Sequence, residues 1–146
     1  MYCSIDDIKK RIPETVLAQI TDDVNGITVD VNTVNKAISD SQSLIDSHLR
    51  GRYISLPLSP TPTIINSVAV DICIYDLHSR RITDELPEAI KDRYKNAVKV
   101  LENIRDGKLS IGVEPGKEPV NGEYRINKTS EDRIFSKSKL DTYWGE

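Results

Sequence analysis

Two histidines, two cysteines and scattered aspartates are the side chains in this chain whose types could support chemistry. Each histidine follows an aspartate by two residues, Asp46 before His48 and Asp76 before His78. A general-base pair needs its carboxylate within hydrogen-bond reach of the imidazole, and helix positions two apart point away from each other. Ser47 and Ser79 sit beside the histidines, but neither lies in a G-x-S-x-G elbow. Surface or interface histidines are the expected reading, and no catalytic residue is assigned. Metal chemistry has no better footing. Asp22, Asp23 and Asp30 surround a loop with Gly26, but no glutamate closes it as a calcium loop requires. C-x-x-C and H-E-x-x-H are missing. Gly112 and Gly116 lack the G-K-[ST] sequel of a phosphate loop and an adjoining helix. Neither a metal nor a cofactor is expected.

The elements that would position these groups read as helices with clear punctuation. Ser4 can cap a short helix with Asp6 and Asp7 in its first turn, where the helix dipole favours anions, and Ile5, Ile8 and Ile12 share its inner face. Pro13 suits the first position of a second short helix carrying Val16, Leu17 and Ile20. Thr21 to Thr28, with Asn25-Gly26, is a turn. Asp30 caps a longer helix whose stripe is Val34, Ala37, Ile38, Leu44, Ile45 and Leu49, with the small Ser41 in the same stripe. Gly51 ends it.

Residues 52–62, RYISLPLSPTP, contain three prolines and read as an extended connector. Thr63 caps the next helix, which runs to about Arg81 and is apolar nearly all round. Such a helix is central in the packing or is covered by another subunit. Pro87 opens a last helix with the stripe Ile90, Tyr94, Ala97, Val98, Leu101 and Ile104, closed by Gly107.

Composition changes at Gly107. Residues 1–106 hold two of the seven glycines, so the remaining forty residues are the glycine-rich part of the chain. The expected architecture is mainly α, a bundle of four to five helices over residues 1–106. A long, extended, partly disordered C-terminal arm follows over 107–146. With 146 residues the chain fits one core that needs no staple. Net charge is −3, which argues against a general nucleic-acid or anionic-membrane binder. Lys91, Arg93, Lys95 and Lys99 are interspersed with Asp92 and Glu102, a solvated face and not a phosphate-tracking stripe. Cys3 and Cys73 are too few for a secreted disulfide framework and are expected as free thiols in a reducing cytoplasm. MYCSIDDIKKR is no signal peptide, and no run of apolar residues is long enough to span a bilayer.

One pairing is more specific. IDSHLRGRYISLPLSPTP, residues 45–62, is followed by VAVDICIYDLHSRR, residues 68–81. It resembles a small-protein family encoded in the head-gene region of Mu-like phages and prophages. Members begin with a Met-Tyr segment and an aspartate-rich first helix. An Arg-Tyr-x-x-Pro-Leu-like element and an apolar D-I-A-x-Y-x-L helix come later. The matching residues are Met1-Tyr2, Asp6-Asp7, Arg52-Tyr53, Leu56-Pro57-Leu58, and Asp71, Ile72, Tyr75 and Leu77, with Cys73 where the pattern usually has alanine. Arg93-Tyr94-Lys95, Ala97, Leu101 and Asp106-Gly107-Lys108-Leu109 also fit, as does Arg133-Ile134-Phe135-Ser136 with Leu140 and Tyr143.

In gene setting, size and helical layout the family is similar to the head–tail connector, or head completion, proteins of long-tailed phages. The resemblance therefore implies a non-catalytic virion structural protein, a ring subunit beneath the portal that presents a surface to the tail. Its implied partners are portal and tail or neck proteins, with self-association into a ring in the virion and a monomer in isolation. No membrane is implied, and DNA only through a ring lumen. Its place would be the host cytoplasm during assembly and then the head–tail junction of the virion. The alternative is a DNA-binding or regulatory helical phage protein, which would need a basic recognition helix. Arg52, Tyr53, Pro57, Asp71 and Tyr75 are expected to form a structural motif, with Tyr53 buried. Phe135, Leu140, Tyr143 and Trp144 are the expected subunit or partner contacts, because aromatic and leucine anchors dominate interface energy.

Overall fold

Ser4 starts the first helix as a capping box: its hydroxyl accepts from the Asp7 amide, and the Asp7 carboxylate accepts from the Ser4 amide at 3.1 Å. In the computed structural model, which describes residues 1–81 and 86–116, five helices follow in order. They are α1 (Ile5–Arg11), α2 (Glu14–Thr21), α3 (Val31–Leu49), α4 (Thr63–Ser79) and α5 (Glu88–Arg105). There is no strand among the described residues, and the fold is mainly α as expected. Asp30 caps α3 by accepting from the Asn32 amide at 2.9 Å.

Two helix starts differ by one residue from the sequence reading. Pro13 stands at the N-cap of α2, with Glu14 the first helical residue. Pro62, and not Thr63, is the N-cap of α4, and no side chain bonds the free amides there. A proline held at a φ near −60° already has a helix-compatible value, so the helix can begin directly after it.

α4 is the centre of the body. It packs on α3 and α5 and is also touched by α1 and α2. Ile65, Val68, Ala69, Val70, Ile72, Cys73, Ile74 and Leu77 are all buried. Of the two readings left open by its all-round hydrophobicity, the central one holds. The small Ser41 and Ala37 of α3 are buried as well, where α3 meets α4.

The connector after α3 bends repeatedly, with cis bonds at Leu56-Pro57 and Ser59-Pro60, and is not a straight extended strand. Tyr53 is buried at 3 % exposure, as expected, and Leu58 is buried beside it. α5 ends in a Schellman motif: the Lys108 amide donates to the Asn103 carbonyl at 2.8 Å and the Gly107 amide to Ile104 at 3.1 Å. Gly107 has φ +77°, which a residue without Cβ adopts freely. The expected arm boundary at Gly107 marks the end of α5, but the chain stays on the body through Gly116. Leu109, Ile111 and Val113 pack against the core, and the Gly116 amide donates to the Arg52 carbonyl at 3.0 Å.

Candidate functional site

The N-terminal segment has no helix of its own to hold it, yet Tyr2 and Cys3 are buried. Tyr2 is fixed at both ends. Its hydroxyl donates to the Asp46 carboxylate on α3 and accepts from the Leu58 amide of the connector at 3.1 Å. Its carbonyl accepts from the Asn66 side chain of α4 at 2.9 Å, and the same amide group also reaches Asp7. Burial and the neighbouring Asp46 carboxylate push the Tyr2 phenol well above its ordinary value, so it stays a donor at every physiological pH. One tyrosine thus joins the chain start, α3, the connector and α4.

Asp7 completes this corner. Hydrogen bonds from Ser4 chiefly, then from Asn66 and Lys10, lower its carboxyl to about 2. Behind it Cys3 Sγ lies 3.7 Å from Cys73 Sγ, and Cys73 Sγ lies 3.1 Å from the Ser41 hydroxyl. Both cysteines are free thiols, as expected. An open groove of about 760 Å³ runs over this corner, lined among others by Met1, Cys3, Asp7, Val31 and Asn35.

The expected motif residues lie in two places. Tyr53 is buried, and Arg52 packs at the end of α5 with its Nε buried and without a hydrogen-bond partner among the described residues. A Cβ on Gly107 would come within 2.3 Å of Arg52 Nη1, so the guanidinium lies directly over the end of α5. Pro57 is exposed, between the partly buried Leu56 and the buried Leu58. Asp71 and Tyr75 are one turn apart on α4 and reach different helices. Arg11 of α1 donates to Asp71 at 3.1 Å and to Ser67 at 3.1 Å. Burial raises the Asp71 carboxyl against the opposing pull of Arg11 and Arg93. Tyr75 stacks on Tyr94 of α5 with ring centroids 4.0 Å apart. These positions tie connector, α1, α4 and α5 into one body. Phe135, Leu140, Tyr143 and Trp144 lie outside the described residues.

A second cleft of about 500 Å³ opens between α3 and α4, lined by Asn32, Thr33, Lys36, Asp40, Asp76 and Arg80 among others. Asp76 is raised to about 6, chiefly by burial and further by Asp40. The charged residues around it are engaged elsewhere: Lys36 pairs with Asp40, and Arg80 with Asp23. His48 turns its Nδ1 to the Leu44 carbonyl at 3.0 Å, which is a local helix contact and not a dyad with Asp46. The acidic turn after α2 is self-contained, because Asp22 accepts from the amides of Val24, Asn25, Ile27 and Thr28. Those bonds lower its carboxyl to about 2. Among the described residues no three His, Cys, Asp or Glu side chains gather as a metal site, and no helix is long and apolar enough to cross a membrane.

Sequence reasoning passed over Tyr2 as a hub, Asn66, the Cys3–Cys73 approach and the burial of Asp76. Only Tyr2 carried a signal, through its place in the Met-Tyr start.

A small protein, helical in all the regular structure of its described residues and with its characteristic residues engaged inside its own body, is the class this arrangement defines. The chain belongs to the Bacteriophage Mu Gp36 family, whose model matches residues 2–127. It is 30 % identical over 123 residues to the Mu-like prophage FluMu protein gp36 of Haemophilus influenzae (strain Rd), covering 84 % of each chain. It is 26 % identical over 142 residues to Gene product J of Escherichia phage Mu, covering 94 % of this chain and 96 % of that protein.

Proposed function

We propose that this protein is a non-catalytic virion structural protein, a connector subunit that assembles as a ring beneath the portal and presents a surface to the tail. The observation that carries the reading is the use made of the family's motif residues. Tyr2, Asp71 and Tyr75 bond or stack across helices and connector, Tyr53 is buried in the core and Arg52 lies over the end of α5. A ring subunit needs such a rigid body, because heterologous contacts close into a ring only when the subunit geometry is reproducible. Membership of a Mu phage family supports the phage setting. Phe135, Leu140, Tyr143 and Trp144 supply large anchors for a neighbour. The portal and tail or neck proteins are the partners this role requires.

The DNA-binding or regulatory alternative finds less support. On α5, Lys91 is paired with Glu88 and Lys95 with Asp92, and Asp92 and Glu102 interrupt the basic residues, so they form no continuous stripe for phosphates. The test is an interrupted gene in the intact phage, examined by electron microscopy of the lysate. DNA-filled heads and free, complete tails that fail to join are the expected result. Normal tailed particles without the protein would overturn the proposal.

A further inference from the structure

The two cysteines, far apart in the chain, meet where the N-terminal segment crosses α4. Their sulfurs are 3.7 Å apart, so closing to a bond of about 2.05 Å requires a shift of roughly 1.7 Å. The two thiols are not equally placed. Cys3 is itself buried at 5 % exposure but borders the open groove, whereas Cys73 is fully buried behind it, against Ser41. An oxidant in the groove reaches Cys3 before Cys73 once the chain start eases outward, and Cys73 lies 3.7 Å away to resolve the product.

We propose that Cys3 and Cys73 are a dithiol site, oxidised by small-molecule disulfides of the glutathione class to an internal bond that latches the chain start to α4. The Cys3 thiolate attacks one sulfur of oxidised glutathione, forms a mixed disulfide and expels one glutathione thiolate. The Cys73 thiol is raised by its hydrogen bond to Cys3 and by burial, so it gives its proton to the expelled glutathione thiolate as it attacks the Cys3 sulfur. That attack forms the Cys3–Cys73 bond and expels the second glutathione thiolate. Two protein thiols are oxidised, one glutathione disulfide is reduced, and the two thiol protons end on the two glutathiones. The Cys73 thiol can donate to a Cys3 thiolate and holds Cys3 below the usual thiol range, which favours Cys3 as the first nucleophile.

Reducing cytoplasm keeps such a pair open, and an oxidising medium closes it. Closure on release from the host is the part of this inference that rests on the virion reading above; the site itself does not. Closing the latch would add a covalent tie to the hold that Tyr2 and Asn66 already have on the segment.

The experiment uses the purified full-length protein equilibrated in glutathione buffers from fully reduced to fully oxidised. The expected product has lost two hydrogens by intact mass, and peptide mapping joins Cys3 to Cys73. Its Tm rises by on the order of 10 °C and returns on addition of dithiothreitol. Cys73→Ser should stop at a glutathione adduct on Cys3, and Cys3→Ser should give neither adduct nor bond. A wild-type protein that keeps a stable glutathione adduct, forms disulfide-linked dimers or stays reduced throughout would overturn the proposal. Mapping of the wild-type product decides the matter even if a serine variant fails to fold. The same experiment reads nothing about portal binding, so the latch and the connector role can fail separately.

Discussion

α4 and α5 lie against each other and are nearly equal in length, 17 and 18 residues, yet they relate to water in opposite ways. α4 buries eight residues around most of its circumference, while α5 buries Ala97, Leu101 and Ile104 along one face. The consequence is clearest for polar groups. On α5 the charges sit in solvent, and ion pairs such as Lys95 with Asp92 contribute little. On α4 each polar side chain between packed neighbours needs a partner or shifts its proton affinity. Asp71 has Arg11, and Tyr75 has the face of Tyr94. Asp76 has no hydrogen bond to its carboxylate among the described residues, and its value rises to about 6. The central helix therefore holds raised carboxyls at Asp71 and Asp76 beside its buried apolar residues, whereas the charges on the outer face of α5 stay in solvent.

The largest effect that would break this contrast is truncation at the centre of α4. Ile72 is fully buried, so Ile72→Ala should cost about 2–5 kcal/mol, read from urea unfolding midpoints. Lys95→Ala on the outer face of α5 should stay within about 0.5 kcal/mol. Equal losses at the two positions would mean that α4 is no more central than α5.

A smaller effect is expected where α5 ends. Gly107→Ala places a Cβ at a positive φ and against Arg52 Nη1, a clash that Arg52 must move to relieve. A loss of about 1–2 kcal/mol is expected from the left-handed backbone alone. Arg52→Ala in the same chain should remove whatever part of the loss comes from the clash. If the double variant is no better than the sum of the two single changes, the Arg52 contact does not matter to the end of α5.

A further effect concerns pH. The folded Asp76 value of about 6 lies above the ordinary carboxylate value, so the folded state binds the extra proton. Stability should therefore fall as pH rises from roughly 4 to 6, with the loss complete above that range. Asp7, lowered to about 2, acts in the opposite direction, and its contribution is lost as pH falls below roughly 4. Asp76→Asn should flatten the slope between roughly pH 4 and 6 and be more stable than wild type at pH 7. An unchanged pH profile of Tm in the variant would show that Asp76 is not the titrating group.

Much of the fold was legible because its signals act within one turn. The Ser4 and Asp30 caps, the stripe of α3, the glycine stop of α5 and the burial of Tyr53 all follow from side chains acting on nearby backbone or from an aromatic in a proline-stiffened segment. The misplaced start of α4 has a local reason too, since Pro62 and Thr63 are both acceptable boundary residues and no side-chain cap distinguishes them. The expected site was legible only as a motif. Asp71 and Tyr75 read as a pattern, but their partners Arg11 and Tyr94 belong to other helices. Sequence alone determined that the chain would be helical, where its helices would break, and that one helix would be apolar all round. Whether that helix faces its own body or a neighbour is a question of how helices cross, and periodicity is the same in both cases. The Tyr2–Asp46, Tyr2–Asn66 and Cys3–Cys73 contacts span 44, 64 and 70 positions. Contacts that distant depend on the packing of α3 and α4 as rigid units, so only the tertiary structure could decide them.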